Sequence, residues 1–170
     1  MIGCGGSGKT TLARELGKRL GLPVVHGDFL GRCGDARAQG NEWAALHAEV
    51  IGREAWILDA MRLGTLDERL ARADTAVFLD LPRHACYAGL VLRRLRHRGR
   101  TDAATGVADR VNLEFLLWIW RFRRRVRPRL LALVARHAAT TEVVVLRSRA
   151  DADRFLVSRA RTRPGPGSAA

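Results

Sequence analysis

Residues 3–10 combine four glycines with a lysine and a threonine at a spacing that suits phosphate binding. They match the pattern G-x-x-x-x-G-K-[ST], and a helix-compatible run follows at once; the eight residues are Gly3, Cys4, Gly5, Gly6, Ser7, Gly8, Lys9 and Thr10. Glycines let backbone N–H groups close around phosphate oxygens, and a following helix N-terminus adds partial positive charge. We expect Lys9 to reach the β- and γ-phosphates and the Thr10 hydroxyl to bind Mg²⁺. We call residues 3–10 the phosphate loop. They predict binding of a nucleoside triphosphate, and Thr11, the next residue, is a further candidate contact with it.

Two carboxylates follow short β-rich runs further along the chain. Asp59 ends the apolar run 55–59, the Walker B pattern in which a strand delivers an acidic residue to Mg²⁺. The alternative is that Asp59 only caps the next turn. Asp28 follows the run 22–26, at the edge of the sheet where ligands bind in open α/β folds. His26, two residues earlier, is interpreted as structural, because a lone buried histidine more often packs than reacts.

Helical and β-rich patterns alternate along the whole chain, which predicts an α/β fold with three layers and a mostly parallel sheet. The helical patterns cover residues 11–20, 42–53, a short run at 65–73, 83–97, a long stretch from about 111, and 151–157. The strand patterns cover 22–26, 55–59, 76–82 and 142–146. We expect one domain over residues 1–161, with a lid at about 98–110. The tail, residues 162–170, is rich in proline and glycine and is expected to be disordered.

The segment before the phosphate loop is unusually short. Such a loop normally follows a central hydrophobic strand of about five residues, and only Met1 and Ile2 precede Gly3. Removing that strand would leave buried backbone groups unpaired, at about 1–3 kcal/mol for each. We therefore expect the first strand to be truncated and the true start to lie upstream of Met1.

Composition narrows the class of protein further. The chain has 170 residues and a net charge of +13, and residues 83–137 hold 14 arginines against three acidic residues, so the excess charge is local. Three cysteines without metal-ligand spacing fit a reducing compartment. No apolar run of membrane-spanning length and no signal peptide pattern occurs, which predicts a cytoplasmic protein without a membrane partner.

Several segments resemble the adenylate-kinase-related proteins called DNA topology modulation proteins. The similar segments are residues 2–13, 22–28, 56–59, 73–83, 98–101, 114–120 and 143–148, and together they extend over most of residues 2–157. The resemblance implies a P-loop NTPase fold of the nucleoside-monophosphate-kinase type with ATP and Mg²⁺ as cofactors. Two segments depart from the family pattern, residues 60–62 and 31–34, and both lie where an acceptor would bind.

Similar kinases suggest roles for residues outside the phosphate loop. In such kinases a lid carries arginines that close over the triphosphate, so Arg98, Arg100 and Arg110 are the candidates for this role here. The alternative is that these arginines only face solvent. Asp28 would hold Mg²⁺ through water, orient the acceptor or act as a base for a hydroxyl, unless it is only a turn aspartate. Arg147 and Ser148 resemble the loop that packs against the adenine base.

The basic segment 118–129 interleaves aromatic residues with arginines and allows two interpretations. It suits a stripe that contacts a nucleic-acid backbone. It also fits an amphipathic helix that packs on the sheet through the series Leu113, Leu116, Leu117 and Trp120. We favour packing. The leading hypothesis is therefore a kinase that transfers the γ-phosphate of ATP to a small, nucleotide-like acceptor, and the alternative is a nucleotide-regulated DNA-binding protein.

Overall fold

The computed structural model describes residues 1–27, 41–97 and 112–161. The strands in these residues are β1 (Ile2–Gly3), β2 (Val24–His26), β3 (Ile57–Asp59), β4 (Thr75–Leu79) and β5 (Glu142–Leu146). The α-helices are α1 (Lys9–Leu20), α2 (Asn41–Gly52), α3 (Leu66–Arg72), α4 (Arg83–His97), α5 (Leu113–Arg125), α6 (Arg127–Arg136) and α7 (Arg149–Arg161). A 3-10 turn, Leu63–Thr65, precedes α3. The expected lid and tail lie outside the described residues.

The strands pair in two parallel sets, a three-stranded ladder in the order β1-β4-β5 and a two-stranded ladder of β2 and β3. Ladders join β2 to β3, β1 to β4, and β4 to β5, all parallel. Met1 links the two halves: its backbone nitrogen donates to the Leu58 carbonyl at 2.7 Å, and the Ala60 N–H donates to the Met1 carbonyl at 3.4 Å. That alternation is the pattern of a parallel ladder. The expected parallel sheet is confirmed, and β1, with two residues, lies between β3 and β4.

The core lies on both faces of β4, the middle strand of the three-stranded ladder. Residues 76–79 of this strand are all buried, as expected for a parallel strand covered by helices on both sides. Helices α1 and α7 pack against each other, while α6 packs against α3 and α5. A smaller apolar cluster, centred on Val50 and Leu58, packs α2 against β2 and β3. Because the strands are parallel, their carboxyl ends lie at the same edge, and the phosphate loop follows β1 at that edge.

The long helix expected from about residue 111 is two helices. Helix α5 ends at Arg125, and α6 starts at Arg127 with a proline, Pro128, in its first turn. A proline is tolerated at the start of a helix but breaks the hydrogen-bond ladder inside one. Helix α6 therefore begins as a separate helix, and its Leu130 and Val134 are buried in the core.

The predicted packing face of α5 was wrong at three of its four residues, while the fourth, Leu116, packs against the core. Leu113, Leu117 and Trp120 are exposed, at 72%, 41% and 53%, whereas Ile119 and Phe122 are buried. The helix carries apolar residues around most of its circumference, so its sequence allowed more than one buried face. An aromatic series decides between them: Phe115 stacks on Trp118 with ring centroids 5.8 Å apart, and Trp118 meets Phe122 at 5.4 Å.

Trp120 has a different partner from the one the sequence predicted. The Arg83 guanidinium lies over its ring at 4.1 Å from the centroid, a cation–π contact at the surface between α4 and α5.

In the described part of the chain, no helix is long and apolar enough to span a membrane.

Candidate functional site

The phosphate loop connects β1 to α1 through backbone conformations that favour glycine. Gly6 and Gly8 have φ angles of +74° and +96°, in the left-handed region that side chains disfavour. Helix α1 begins at Lys9, and its N-cap residue, Gly8, makes no side-chain capping hydrogen bond. The first N–H groups of a helix lack partners within the helix, so this end of α1 is suited to an anion.

Two helices support the phosphate loop from outside. A Cβ atom placed on Gly6 would lie 2.2 Å from the Cys86 carbonyl oxygen of α4, and one placed on Gly5 would lie 2.4 Å from the Phe115 ring of α5. From the other side, a Cβ on Gly89 of α4 would lie 2.1 Å from the Gly6 carbonyl oxygen. The backbones of the loop and α4 therefore approach as closely as glycine permits at Gly6 and Gly89, and the Phe115 ring fills the space beside Gly5.

Lys9 is held across the phosphate loop. Its side chain is 7% exposed, and Nζ donates a hydrogen bond to the Cys4 carbonyl oxygen at 3.0 Å. The Ser7 hydroxyl oxygen is buried without a hydrogen-bond partner among the described residues. A buried ammonium group beside an unpartnered hydroxyl fits a site whose remaining partners come from a ligand.

Asp59 lies directly beside the start of α1. The Thr10 hydroxyl donates to Asp59 Oδ2 at 2.7 Å, while Oδ1 is buried without a partner in the described part of the chain. Burial acts to raise the pKa of Asp59, but the hydrogen bond with His26, the charge of Lys9 and the hydrogen bond from Thr10 outweigh it. The pKa therefore lies below the ordinary value of 3.8, and the carboxylate stays charged.

His26 belongs to the same cluster, a placement that the sequence analysis missed. Its Nδ1 lies 3.3 Å from Asp59 Oδ2, and the two residues are paired across the β2–β3 ladder. The signal was present in the sequence: two short parallel strands, each ending in a polar residue, bring those ends together at one edge. His26 thus orients the carboxylate of Asp59.

The donor set at this edge fits Mg²⁺ bound together with a nucleotide. No group of three or more His, Cys, Asp and Glu side chains that could hold a metal occurs in the described ranges. Mg²⁺ commonly takes one or two protein ligands and completes its shell with water and phosphate oxygens. The Thr10 hydroxyl and the unpartnered Oδ1 of Asp59 are oxygen donors of the kind that could hold Mg²⁺ in this way.

The segment after β5, expected to contact a base, is tied to its own helix. Both backbone N–H groups, of Arg147 and Ser148, donate to Asp151 Oδ2 at 2.9 and 2.8 Å, and the Asp151 N–H donates back to the Ser148 hydroxyl at 3.1 Å. This reciprocal arrangement is a capping box at the start of α7. A base at this loop would therefore meet side chains or carbonyl groups. The contact of Arg147 and Ser148 with a base stays a prediction.

Four of the predicted catalytic residues lie outside the described residues: Asp28, Arg98, Arg100 and Arg110. Their roles stay predictions. In the basic segment, Arg121, Arg123, Arg124, Arg125 and Arg129 are exposed. Arg127 instead forms a two-pronged ion pair with Asp80 at the end of β4, at 2.7 and 2.8 Å. Nucleic-acid binding by this segment also stays a prediction.

Cys4, inside the phosphate loop, has a packing role. Its side chain is 3% exposed, and Cys86 of α4 is fully buried beside it. A hydrogen bond between the two thiols, together with burial, raises the pKa of Cys4 well above its usual range. The thiol therefore stays protonated and joins the phosphate loop to α4.

The sheet order, the layers and the phosphate loop define the class of the molecule: an α/β fold of the P-loop NTPase type. Among solved structures the chain is similar to a gluconokinase from Sinorhizobium meliloti 1021. The TM-score is 0.53 at 19% identity, over 94% of this chain and 89% of that chain. No family model matches the chain, and neither does any curated protein. The likeness shows the fold, and membership of the DNA topology modulation proteins stays a prediction.

Proposed function

We propose that the protein is a P-loop kinase that transfers the γ-phosphate of ATP to a small-molecule acceptor. The observation that carries this proposal is the hydrogen bond from Thr10 to Asp59, which joins the start of α1 to the end of β3 at 2.7 Å. In P-loop enzymes these two positions hold the metal that bridges the β- and γ-phosphates. Lys9, in the same loop, supplies the adjacent positive charge.

The donor end of the site is built from backbone groups and one ammonium group. The left-handed conformations of Gly6 and Gly8 would let backbone amides face a bound phosphate, and the start of α1, which has no side-chain cap, would add its own N–H groups. Lys9 would exchange its hydrogen bond with the Cys4 carbonyl for the phosphate oxygens. Phosphoryl transfer needs little covalent work from a protein, so positioning and charge neutralisation account for the catalysis.

Thr10 and Asp59 are the residues that would hold Mg²⁺. The cation supplies charge neutralisation to the triphosphate when it is bound. The His26 ring fixes the orientation of Asp59 through Oδ2, which leaves Oδ1 for a ligand. Because the pKa of Asp59 is lowered, its carboxylate needs no deprotonation before it can bind a cation.

The acceptor side rests on residues outside the described ranges. Asp28 follows β2 in the chain, and we propose that it orients the acceptor or takes the proton of its hydroxyl. Arg98, Arg100 and Arg110 would neutralise the transferring phosphate from the lid. The resemblance to adenylate-kinase-related proteins favours a nucleotide-like acceptor, and the gluconokinase neighbour adds sugar acids to the candidates.

A coupled assay of ADP formation tests the proposal. The purified protein is given Mg²⁺, ATP and, in turn, nucleoside monophosphates, nucleosides and sugar acids including gluconate. One acceptor class is expected to accelerate ADP formation. Lys9→Met should abolish this acceleration, whereas Lys18→Met, at an exposed lysine paired with Glu15, should retain it. If no acceptor in the panel increases the rate, or if Lys9→Met is fully active, the proposal fails.

A further inference from the structure

Arg149, the first residue of α7, reaches back to the phosphate loop. One of its guanidinium nitrogens, Nη2, lies 3.1 Å from the point that a Cβ atom on Gly89 would occupy. The Gly6 carbonyl oxygen lies 2.1 Å from the same point. The Arg149 guanidinium is therefore next to the phosphate loop, in space that the absent side chain at position 89 leaves open.

The environment of Arg149 differs from that of Arg154 and Arg159 on the same helix. Arg154 pairs with Asp151, and Arg159 pairs with Glu142. No carboxylate in the described part of the chain lies within ion-pair distance of Arg149, and the residue is exposed. Its charge thus stands uncompensated beside a loop that already carries Lys9. Two cationic side chains at one loop attract anions, which suits a site for phosphate.

The electrostatics beneath the phosphate loop agree with this placement. Cys86 lies under the loop, where its carbonyl contacts Gly6. The hydrogen bond with Cys4 lowers the pKa of Cys86 most, burial opposes this, and the positive charges of Lys9, Arg149 and Arg123 lower it further. Three cationic side chains from three different helices therefore lie near enough to Cys86 to stabilise negative charge there.

We propose that Arg149 binds the phosphate chain of the donor nucleotide, with its guanidinium group donating hydrogen bonds to phosphate oxygens from the Gly6 side of the loop. This assignment rests on the proposed function and adds a binding residue that the sequence motif does not contain. A planar guanidinium presents two donors in a fixed fork, a geometry that matches two phosphate oxygens. Gly89 is the residue that gives the side chain access.

Calorimetry with two probes tests the assignment. Magnesium ATP and magnesium tripolyphosphate are titrated into the wild-type protein, Arg149→Ala, Arg149→Lys and the control Arg72→Ala. Arg72 is an exposed arginine in the last turn of α3. Circular dichroism and thermal unfolding check that each variant is folded, and Arg149→Lys provides a second variant that keeps the charge.

Arg149→Ala is expected to weaken binding of both probes by about tenfold, the loss typical of one charge-assisted hydrogen bond. Arg149→Lys should recover part of the affinity, and Arg72→Ala should change it by less than about twofold. Unchanged affinity of Arg149→Ala for both probes overturns the assignment, and so does a loss confined to ATP, which would indicate a contact with the base or ribose. If the wild-type protein binds neither probe, the proposed function fails as well.

Discussion

The Thr10 hydroxyl donates a hydrogen bond to Asp59 Oδ2 at 2.7 Å, across 49 positions of sequence. This contact joins the helix that follows the phosphate loop to the end of β3. It places a hydroxyl and a carboxylate side by side, with the second carboxylate oxygen buried and unpartnered within the described residues.

Asp59→Asn should weaken the Mg²⁺ dependence of ATP binding, because an amide oxygen is a poorer ligand than a carboxylate. The expected loss of metal affinity is on the order of 10–100-fold. Titration of Mg²⁺ at fixed ATP measures it. Asp67→Asn, which changes an exposed carboxylate on α3, is the matched control. An unaltered Mg²⁺ dependence in Asp59→Asn would remove Asp59 from the metal site.

The lowered pKa of Asp59 predicts a specific dependence of stability on acid. Because the folded pKa lies below the ordinary value of 3.8, the charged carboxylate stabilises the fold fully above that pH. The stabilisation is lost as the pH falls through the lower, folded pKa. Thermal unfolding of the wild-type protein and Asp59→Asn from about pH 6 to about pH 2.5 measures this. The difference between the two should shrink only below pH 3.8. A constant difference across the range would contradict the assignment.

The ion pair between Arg127 and Asp80 should contribute measurably to stability. Asp80 is buried, and Arg127 meets it with two nitrogens. Arg127→Ala leaves that carboxylate without its partner, so we expect a loss of about 1–3 kcal/mol in the free energy of unfolding. Arg136→Ala, which removes an exposed pair with Asp67, should cost less than about 1 kcal/mol. Equal losses in urea denaturation of the two variants would contradict a special role for Asp80.

Gly89→Ala should destabilise the protein, although alanine usually stabilises a helix by about 0.5–1 kcal/mol over glycine. Its Cβ would meet the Gly6 carbonyl oxygen at 2.1 Å and push the phosphate loop away from α4. We expect lower melting temperature and weaker ATP binding. Gly52→Ala, at the end of α2 where a Cβ meets nothing within 4 Å, is the control. A Gly89→Ala variant that binds ATP normally would show that the loop tolerates displacement.

The phosphate loop and the strand ends could be predicted because their signals are local. Residues 3–10 dictate a glycine-rich turn before a helix, and this spacing needs no information from the rest of the chain. The order of strands and helices likewise followed from runs of apolar residues, and the strand Glu142–Leu146 has the predicted bounds. The parallel sheet is a consequence of that alternation.

The orientation of α5 could not be predicted from its pattern. Apolar residues occupy several faces of this helix, so the choice between Leu117 and Phe122 as a buried residue depends on what packs against each face. Phe115, Trp118 and Phe122 form one aromatic series toward the core. The physical reason is that packing of large rings against neighbouring elements outweighs a periodicity that fits more than one register.

The sequence by itself determined a glycine-rich loop before a helix and a carboxylate at the end of a parallel strand. Only the tertiary structure decided what surrounds them: His26 beside Asp59, Gly89 against Gly6, and Arg149 at the flank of the loop. Those contacts join residues that are far apart in the chain, and no local spacing encodes them. They depend on how α4 and α7 pack at the edge of the sheet, which is set by the whole core.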